Sequence, residues 1–199
     1  MEVVLASGNR GKLEELAVLL EEVPVHIRAQ SEFEVPAVRE SGFSFIENAI
    51  IKARNAAAHS SRPALADDSG IAVDALGGAP GIYSARYAGE GATDAANVEK
   101  LLADAAHLPD DRRRCRFICV AAFLRHEDDS VPIVCQGAWD GRLMRQPVGT
   151  GGFGYDPVFW VPEHSCSSAQ LPLAVKNTIS HRARAMLQIA EALRGEVAG

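Results

Sequence analysis

Val3-Val4-Leu5-Ala6-Ser7-Gly8-Asn9-Arg10-Gly11-Lys12, followed by Leu13, Leu16, Ala17 and Leu20, is the stretch on which the fold turns. Val3 to Ala6 is a short β-branched and apolar run, and Ser7-Gly8-Asn9 with Gly11 are turn formers. The apolar positions that follow recur at helical spacing, with Glu14, Glu15, Glu21 and Glu22 elsewhere on the surface. The unit therefore reads strand, tight loop, helix.

The same grammar continues along the chain. Ser44-Phe45-Ile46-Glu47 has capping-box spacing, and Ala49, Ala53, Ala56 and Ala57 extend an apolar stripe, so a helix is expected over about positions 44 to 59, with Pro63 helping to end it. Pro63-Ala64-Leu65-Ala66 predicts a strand that ends in the polar Asp67-Asp68-Ser69-Gly70. After the loop Gly77-Gly78-Ala79-Pro80-Gly81, a helix is expected near Ala95 to Ala106. Two strands follow, Cys115 to Leu124 and Ile133 to Trp139, and the polar link Arg125 to Ser130 suits a hairpin. Ala183, Met186, Leu187, Ala190 and Leu193 predict a terminal amphipathic helix whose first turn follows Ser180-His181-Arg182. Alternating strands and helices mean an α/β class. With no internal repeat, low-complexity stretch or long linker, residues 1–199 are expected to form a single domain.

Bulk properties narrow the function classes. A chain of 199 residues with 47% hydrophobic content can bury a sizeable core. Its net charge of −6 argues against nucleic-acid binding, which draws on dense Lys and Arg, and leaves room for a small anionic ligand in a local basic pocket. Cys115, Cys119, Cys135 and Cys166 form no CxxC pair and no zinc-site spacing, so reduced, partly buried thiols are expected. No apolar run approaches the roughly 20 residues of a membrane span. Met1 leads directly into a strand, without a signal sequence, so the expected location is cytoplasmic with no membrane partner.

Several motifs carry chemistry. Ser7 to Lys12 puts two glycines, two cations and several donors at a strand-to-helix turn, where free backbone N–H groups attract phosphate. A P-loop would need Gly at position 6 and Ser or Thr after the lysine. Ala6 and Leu13 stand there, which excludes a Walker-type NTPase and leaves a phosphate cradle or a turn with a solvated lysine. Gly149-Thr150-Gly151-Gly152-Phe153-Gly154 contains G-x-G-x-x-G, but Tyr155-Asp156-Pro157-Val158-Phe159-Trp160 reads as turn and strand, so the helix of a dinucleotide site is missing. Such a loop suits either a flat ligand, with Phe153 or Tyr155 as stacking face, or a mobile surface turn.

Asp67-Asp68 is sharper. Adjacent carboxylates repel and are costly to bury without a cation or donors, and along a strand they point to opposite faces, so one enters a given cleft while the other caps or orients. A solvated turn is the alternative. Glu40, in Arg39-Glu40-Ser41-Gly42, is a candidate second metal ligand or a surface charge. Lys176 and Ser180-His181-Arg182 gather donors for a 6-oxo base or a phosphate, or face solvent. Lys52 lies one turn after Asn48 and Glu47, where a surface ion pair is its ordinary explanation.

Taken together, Ser-Gly-Asn-x-Gly-Lys at 7 to 12, Phe45-Ile46-Glu47-Asn48-Ala49, Ala66-Asp67-Asp68-Ser69-Gly70, Gly77 to Tyr87, Gly151-Gly152-Phe153-Gly154-Tyr155-Asp156-Pro157 and Ser180-His181-Arg182 closely resemble the inosine triphosphatase family, in its bacterial RdgB-type branch. The six motifs occur in family order across nearly the whole chain. The resemblance implies an elongated mixed twisted central sheet flanked by helices, two lobes around a deep nucleotide-binding cleft, and a homodimer. It also implies Mg2+-dependent hydrolysis of dITP, ITP and XTP to monophosphate and pyrophosphate, a reaction that cleanses the nucleotide pool. By position, Ser7, Gly8, Asn9, Arg10, Gly11 and Lys12 would hold the triphosphate with Lys52 nearby. Asp68 would be general base and metal ligand, Glu40 a further ligand, and Ser69 a substrate contact. Phe153, Gly154, Tyr155 and Asp156 would line the base pocket, and Lys176, His181 and Arg182 would contact the purine. Leu171-Pro172-Leu173-Ala174-Val175 departs from the family in lacking an acidic pair before Lys176. Two other classes compete. A Maf-like pyrophosphatase would act on other bases, and a nucleotide-binding module would bind ITP without turnover.

Overall fold

In the computed structural model, which describes residues 1–8, 18, 20–21, 23 and 25–198 (the side chains of 197 and 198 apart), the run expected from Val3 is strand β1, Glu2–Leu5. It pairs in parallel with β2, His26–Ala29, and with β3, Ala64–Val73. Strands β4, Arg114–Leu124, and β5, Ile133–Leu143, follow, and β6, Phe159–Val161, and β7, Cys166–Ser167, add antiparallel to β5. The mixed sheet has seven strands in the order β2-β1-β3-β4-β5-β6-β7. Among the described residues the α-helices are α1, Phe45–Ser60, α2, Asp94–Asp104, α3, Leu173–Ile179, and α4, His181–Ala198. The α/β class expected from the sequence is the class observed. The helix expected over Leu13 to Leu20 falls largely outside the described residues.

Two compact units divide the chain. The first comprises Met1–Asp68, Cys119–Gly137 and Arg182–Gly199, the second Ser69–Ile118 and Ala138–His181. In the first unit the period-two rule sorts three strands onto two faces. Val3, Leu5, Leu65, Cys119, Ala121 and Phe123 pack with Ala185, Met186, Ile189, Ala190 and Leu193 of α4. The alternate residues Val4, Ala64, Ala66, Val120, Ala122 and Leu124 pack with Ala49, Ala53, Ala56 and Ala57 of α1. Covered on both sides, these strands read as continuous apolar runs.

α1 begins where the capping box put it. The Ser44 hydroxyl accepts from the Glu47 N–H at 3.2 Å, and Glu47 Oε2 accepts from the Phe43 N–H at 2.8 Å. In the second unit Ile71, Val73, Val98, Leu101, Phe117, Trp139, Phe159 and Val161 form one cluster, with the Phe117 and Phe159 centroids 4.4 Å apart.

Three expectations change. β3 does not end at Asp67 but runs to Val73, because Gly70 is small enough to lie against Ser84, whose hydroxyl accepts the Ile71 N–H at 3.0 Å. The two aspartates are thus mid-strand. β5 passes Trp139 to Leu143, since Asp140-Gly141, a turn signal in isolation, here lets Phe159 approach: a Cβ on Gly141 would sit 2.5 Å from its ring. Leu187 is 55% exposed, and Ile189 takes its place on the buried stripe of α4. The four cysteines are free, with Cys115 and Cys119 buried, as expected. Among the described residues no helix is long and apolar enough to cross a membrane.

Candidate active site

The alternation that builds the first unit also separates the two aspartates. Asp67 has the parity of Leu65 and faces α4; Asp68 has the parity of Ala64 and Ala66 and faces α1. On the α4 side, Asp67 Oδ2 lies 3.6 Å from Arg182 Nε and 3.8 Å from Cys119 Sγ. On the α1 side, Asp68 Oδ1 accepts from Lys52 Nζ at 2.9 Å and Oδ2 accepts from Asn48 Nδ2 at 3.2 Å. Asn48 and Lys52 are one helical turn apart, beside the alanine stripe, so both reach the same carboxylate. Neither aspartate is a solvated turn residue: their exposures are 2% and 6%.

Glu40 joins the α1 side. Its Oε1 lies 3.1 Å from Lys52 Nζ, and its loop is tied down where Asn48 Oδ1 accepts the Gly42 N–H at 2.9 Å. A Cβ on Gly42 would stand 2.5 Å from Glu47 Cβ, so this close approach needs glycine. Burial pushes the Lys52 ammonium toward a lower pKa, but Asp68, Asp67 and Glu40 outweigh it and hold the value above the ordinary one. Lys52 is therefore a fixed positive charge. β1 runs parallel to β3 with Leu5 opposite Leu65, and the chain turns out of the sheet at Ser7, whose N–H donates to Leu5 O at 3.0 Å. Asn9, Arg10, Gly11 and Lys12 lie outside the described residues.

No group of three or more His, Cys, Asp and Glu side chains converges among the described residues. Glu40 and Asp68, both within about hydrogen-bond reach of one ammonium, nevertheless supply two hard oxygen donors on a single cation. That donor set fits Mg2+, which commonly takes one or two carboxylates and completes its shell with water and substrate phosphates.

The second unit gathers the remaining residues around Asp156. Its Oδ2 accepts from Lys176 Nζ of α3 at 2.6 Å and from the Phe153 N–H at 3.0 Å, while Oδ1 accepts from the Ser168 hydroxyl at 2.8 Å. Lys176 Nζ also lies 5.4 Å over the Phe153 ring. Gly152, with φ of +72°, lies so close to the Asp156 carboxylate that a Cβ would collide with it. The loop is followed by a 3-10 turn, Asp156–Val158, and β6, so the dinucleotide reading fails for the reason its sequence suggested. Tyr155 is 5% exposed and donates its hydroxyl to Ser84 O at 2.8 Å; burial raises its pKa. It packs in the core instead of offering a stacking face. His181 stacks on Phe117 with centroids 4.7 Å apart and planes 11° off parallel. Ser69 is half-buried beside Gly70.

One unit thus holds carboxylates around a cation, suited to phosphate and proton chemistry. The other holds a flat ring beside a buried lysine, suited to a polar aromatic ring. A family model described as the Ham1 family matches residues 3–192. The chain belongs to the Ham1 family. The dITP/XTP pyrophosphatases of Shigella flexneri and Escherichia coli strain K12 are each 54% identical to it over 193 residues, covering 97% of this chain and 98% of theirs. A HAM1 protein from Coxiella burnetii matches with a TM-score of 0.92 at 46% identity, covering 98% of this chain and 99% of that one.

In this member of the Ham1 family, residues to which the sequence reading gave no role do much of the positioning. Asn48, fully buried, joins Asp68 to the Glu40 loop. Its signal was available: an asparagine one turn before Lys52 on a helix otherwise lined by alanine. Ser168, Phe117 and Trp139 had none, since nothing local marks which strand or turn will meet Asp156 or His181. Arg182, expected against the purine, has Asp67 as an ion partner and is 2% exposed.

Proposed function

We propose that this chain hydrolyses non-canonical purine nucleoside triphosphates, dITP, ITP and XTP, to the monophosphate and pyrophosphate. The observation that carries the reading is the Asp68 cluster with Lys52, Asn48 and Glu40, in a chain 54% identical to proteins named dITP/XTP pyrophosphatase. Asp68 accepts a proton from water as that water attacks the α-phosphorus; the bond from the α-phosphorus to the bridging oxygen breaks, and pyrophosphate leaves with the electron pair. Lys52, held charged, stabilises the negative charge that builds on the phosphates, and Ser7 to Lys12 hold the chain of phosphates. Asn48 keeps the Asp68 carboxylate aimed. Glu40 and Asp68 would hold Mg2+, which when bound would supply charge neutralisation on the phosphate oxygens.

Phe153 stacks on the purine, Gly154 to Asp156 shape its pocket, and Ser69 contacts the substrate. Lys176, His181 and Arg182 provide donors for the 6-oxo group. Adenine presents a donor there instead, which leaves buried donors unpaired and rejects dATP by up to roughly 10⁴-fold. The protein acts as a homodimer in the cytoplasm on free nucleotides, as its family resemblance implies. A panel of dITP, XTP, dATP and dGTP with and without Mg2+ tests the reading. Pyrophosphate release favouring dITP and XTP, and requiring Mg2+, is expected. Orthophosphate release, or equal rates on all four, overturns it, and turnover of modified pyrimidines would favour the Maf-like class.

A further inference from the structure

Three consecutive residues of the loop from Gly149 are each pinned by residues from elsewhere in the chain. Asp156 is held by Lys176 and Ser168, both buried, and the Tyr155 hydroxyl is held by Ser84 O. The Gly154 N–H donates at 2.7 Å to Asp94 Oδ2, on the first turn of α2. The first two ties are interior. The third is exposed, and it joins a loop whose glycines 149, 152 and 154 all have positive φ, at +87°, +72° and +60°. With that much backbone freedom, the charge-assisted bond to Asp94 adds a restraint at Gly154 that the interior ties do not supply.

Asp94 and the loop also share a cavity of about 450 Å³, bordered by Val98 and Leu102 of α2 and by Pro147, Phe153 and Pro157. Phe153 thus has the Lys176 ammonium over its ring and also borders open space. Van der Waals packing cannot hold the ring where the cavity gives it room. The backbone is what orients it: its own N–H is held by Asp156 Oδ2 at 3.0 Å, and the next N–H along, that of Gly154, by Asp94. Asp94 itself needs no partner to stay on α2: Thr93 caps the helix, its hydroxyl accepting the Ala96 N–H at 3.2 Å.

We propose that Asp94 is a positioning residue for purine binding: its carboxylate latches Gly154 so that Phe153 stands in its stacking position instead of relaxing into the cavity. The inference rests on the base-binding reading of this loop. It makes Asp94 act through Phe153, without touching substrate, and on binding more than on the phosphate chemistry.

The test compares Asp94→Ala, Asp94→Asn and Glu99→Gln in the full chain, by steady-state pyrophosphate release from dITP and by amide exchange in NMR. Asp94→Ala should raise KM about tenfold with kcat within about twofold, the loss expected for one hydrogen bond to a charged group. Asp94→Asn keeps an acceptor oxygen and should stay close to wild type, while Glu99→Gln, on the same cavity wall, should change neither constant. The Gly154 amide should exchange faster in Asp94→Ala alone. A lowered melting temperature with unchanged KM would reduce Asp94 to a helix-terminus charge and overturn the proposal, as would equal losses in Asp94→Ala and Asp94→Asn. Unchanged Gly154 exchange in Asp94→Ala overturns the latch whatever the substrate. A wild type that leaves dITP intact while Gly154 exchange does respond would instead sink the base-binding reading, and the KM claim with it.

Discussion

Lys176 and Asp156 pair at 2.6 Å with side-chain exposures of 5% and 4%, whereas Lys52 and Asp68 pair at 2.9 Å with exposures of 15% and 8%. The side chains are the same, but their surroundings differ. Asp156 also accepts from Ser168 and from the Phe153 N–H, so its ion pair is braced by neutral donors. Lys52 is shared by two carboxylates, and the second, Glu40, is 27% exposed. Two carboxylates that meet on one ammonium repel each other, a repulsion that a divalent cation would relieve. A buried, braced pair maintains a loop; a shared, more exposed one can exchange partners during a reaction. Burial alone does not tell them apart, and the sharing of Lys52 between two carboxylates does.

The comparison can be broken most sharply at its aspartates. Asp68→Asn should lower kcat for dITP by about 10³-fold at a stability cost of only about 1–3 kcal/mol, because the amide oxygen still accepts from Lys52, which keeps Glu40, while its NH2 loses the bond to Asn48. A near-normal rate would remove Asp68 from the chemistry. Asp156→Ala should act in the opposite sense, costing about 3–5 kcal/mol of stability in urea titration by leaving the Lys176 charge buried without a partner. A loss below about 1 kcal/mol, the ordinary value for a surface pair, would mean that the two pairs are alike after all.

A smaller effect lies in pH. Burial opposes the charge on Lys52, but Asp68, Asp67 and Glu40 raise its folded pKa above the unfolded one. Such a group stabilises the fold fully below its unfolded pKa, about 10.4, and that contribution is lost as pH rises through the higher folded value. Wild type should therefore lose urea resistance above pH ~10.4 more steeply than Lys52→Met. Parallel curves for the two proteins would show that the carboxylates do not bind Lys52 in preference to water.

Much of this was legible from residue order. The α/β class, the capped start of α1 and the strand character of Val3 to Ala6 are local properties, written in periods of 2 and 3.6. The opposite facing of Asp67 and Asp68 follows from the same period, and it is what assigns one to α4 and the other to α1. Recurrence of six motifs in family order identified the family before any contact was known. Tertiary structure decided the rest. That β3 continues through Asp67-Asp68-Ser69-Gly70 depends on Ser84, that β5 runs past Asp140-Gly141 depends on Phe159, and that Asp67 has Arg182 beside it depends on where α4 lands on the sheet. Such outcomes require segments far apart in the chain to supply a donor, a ring or a charge at one place, and no local pattern carries the address of a distant partner.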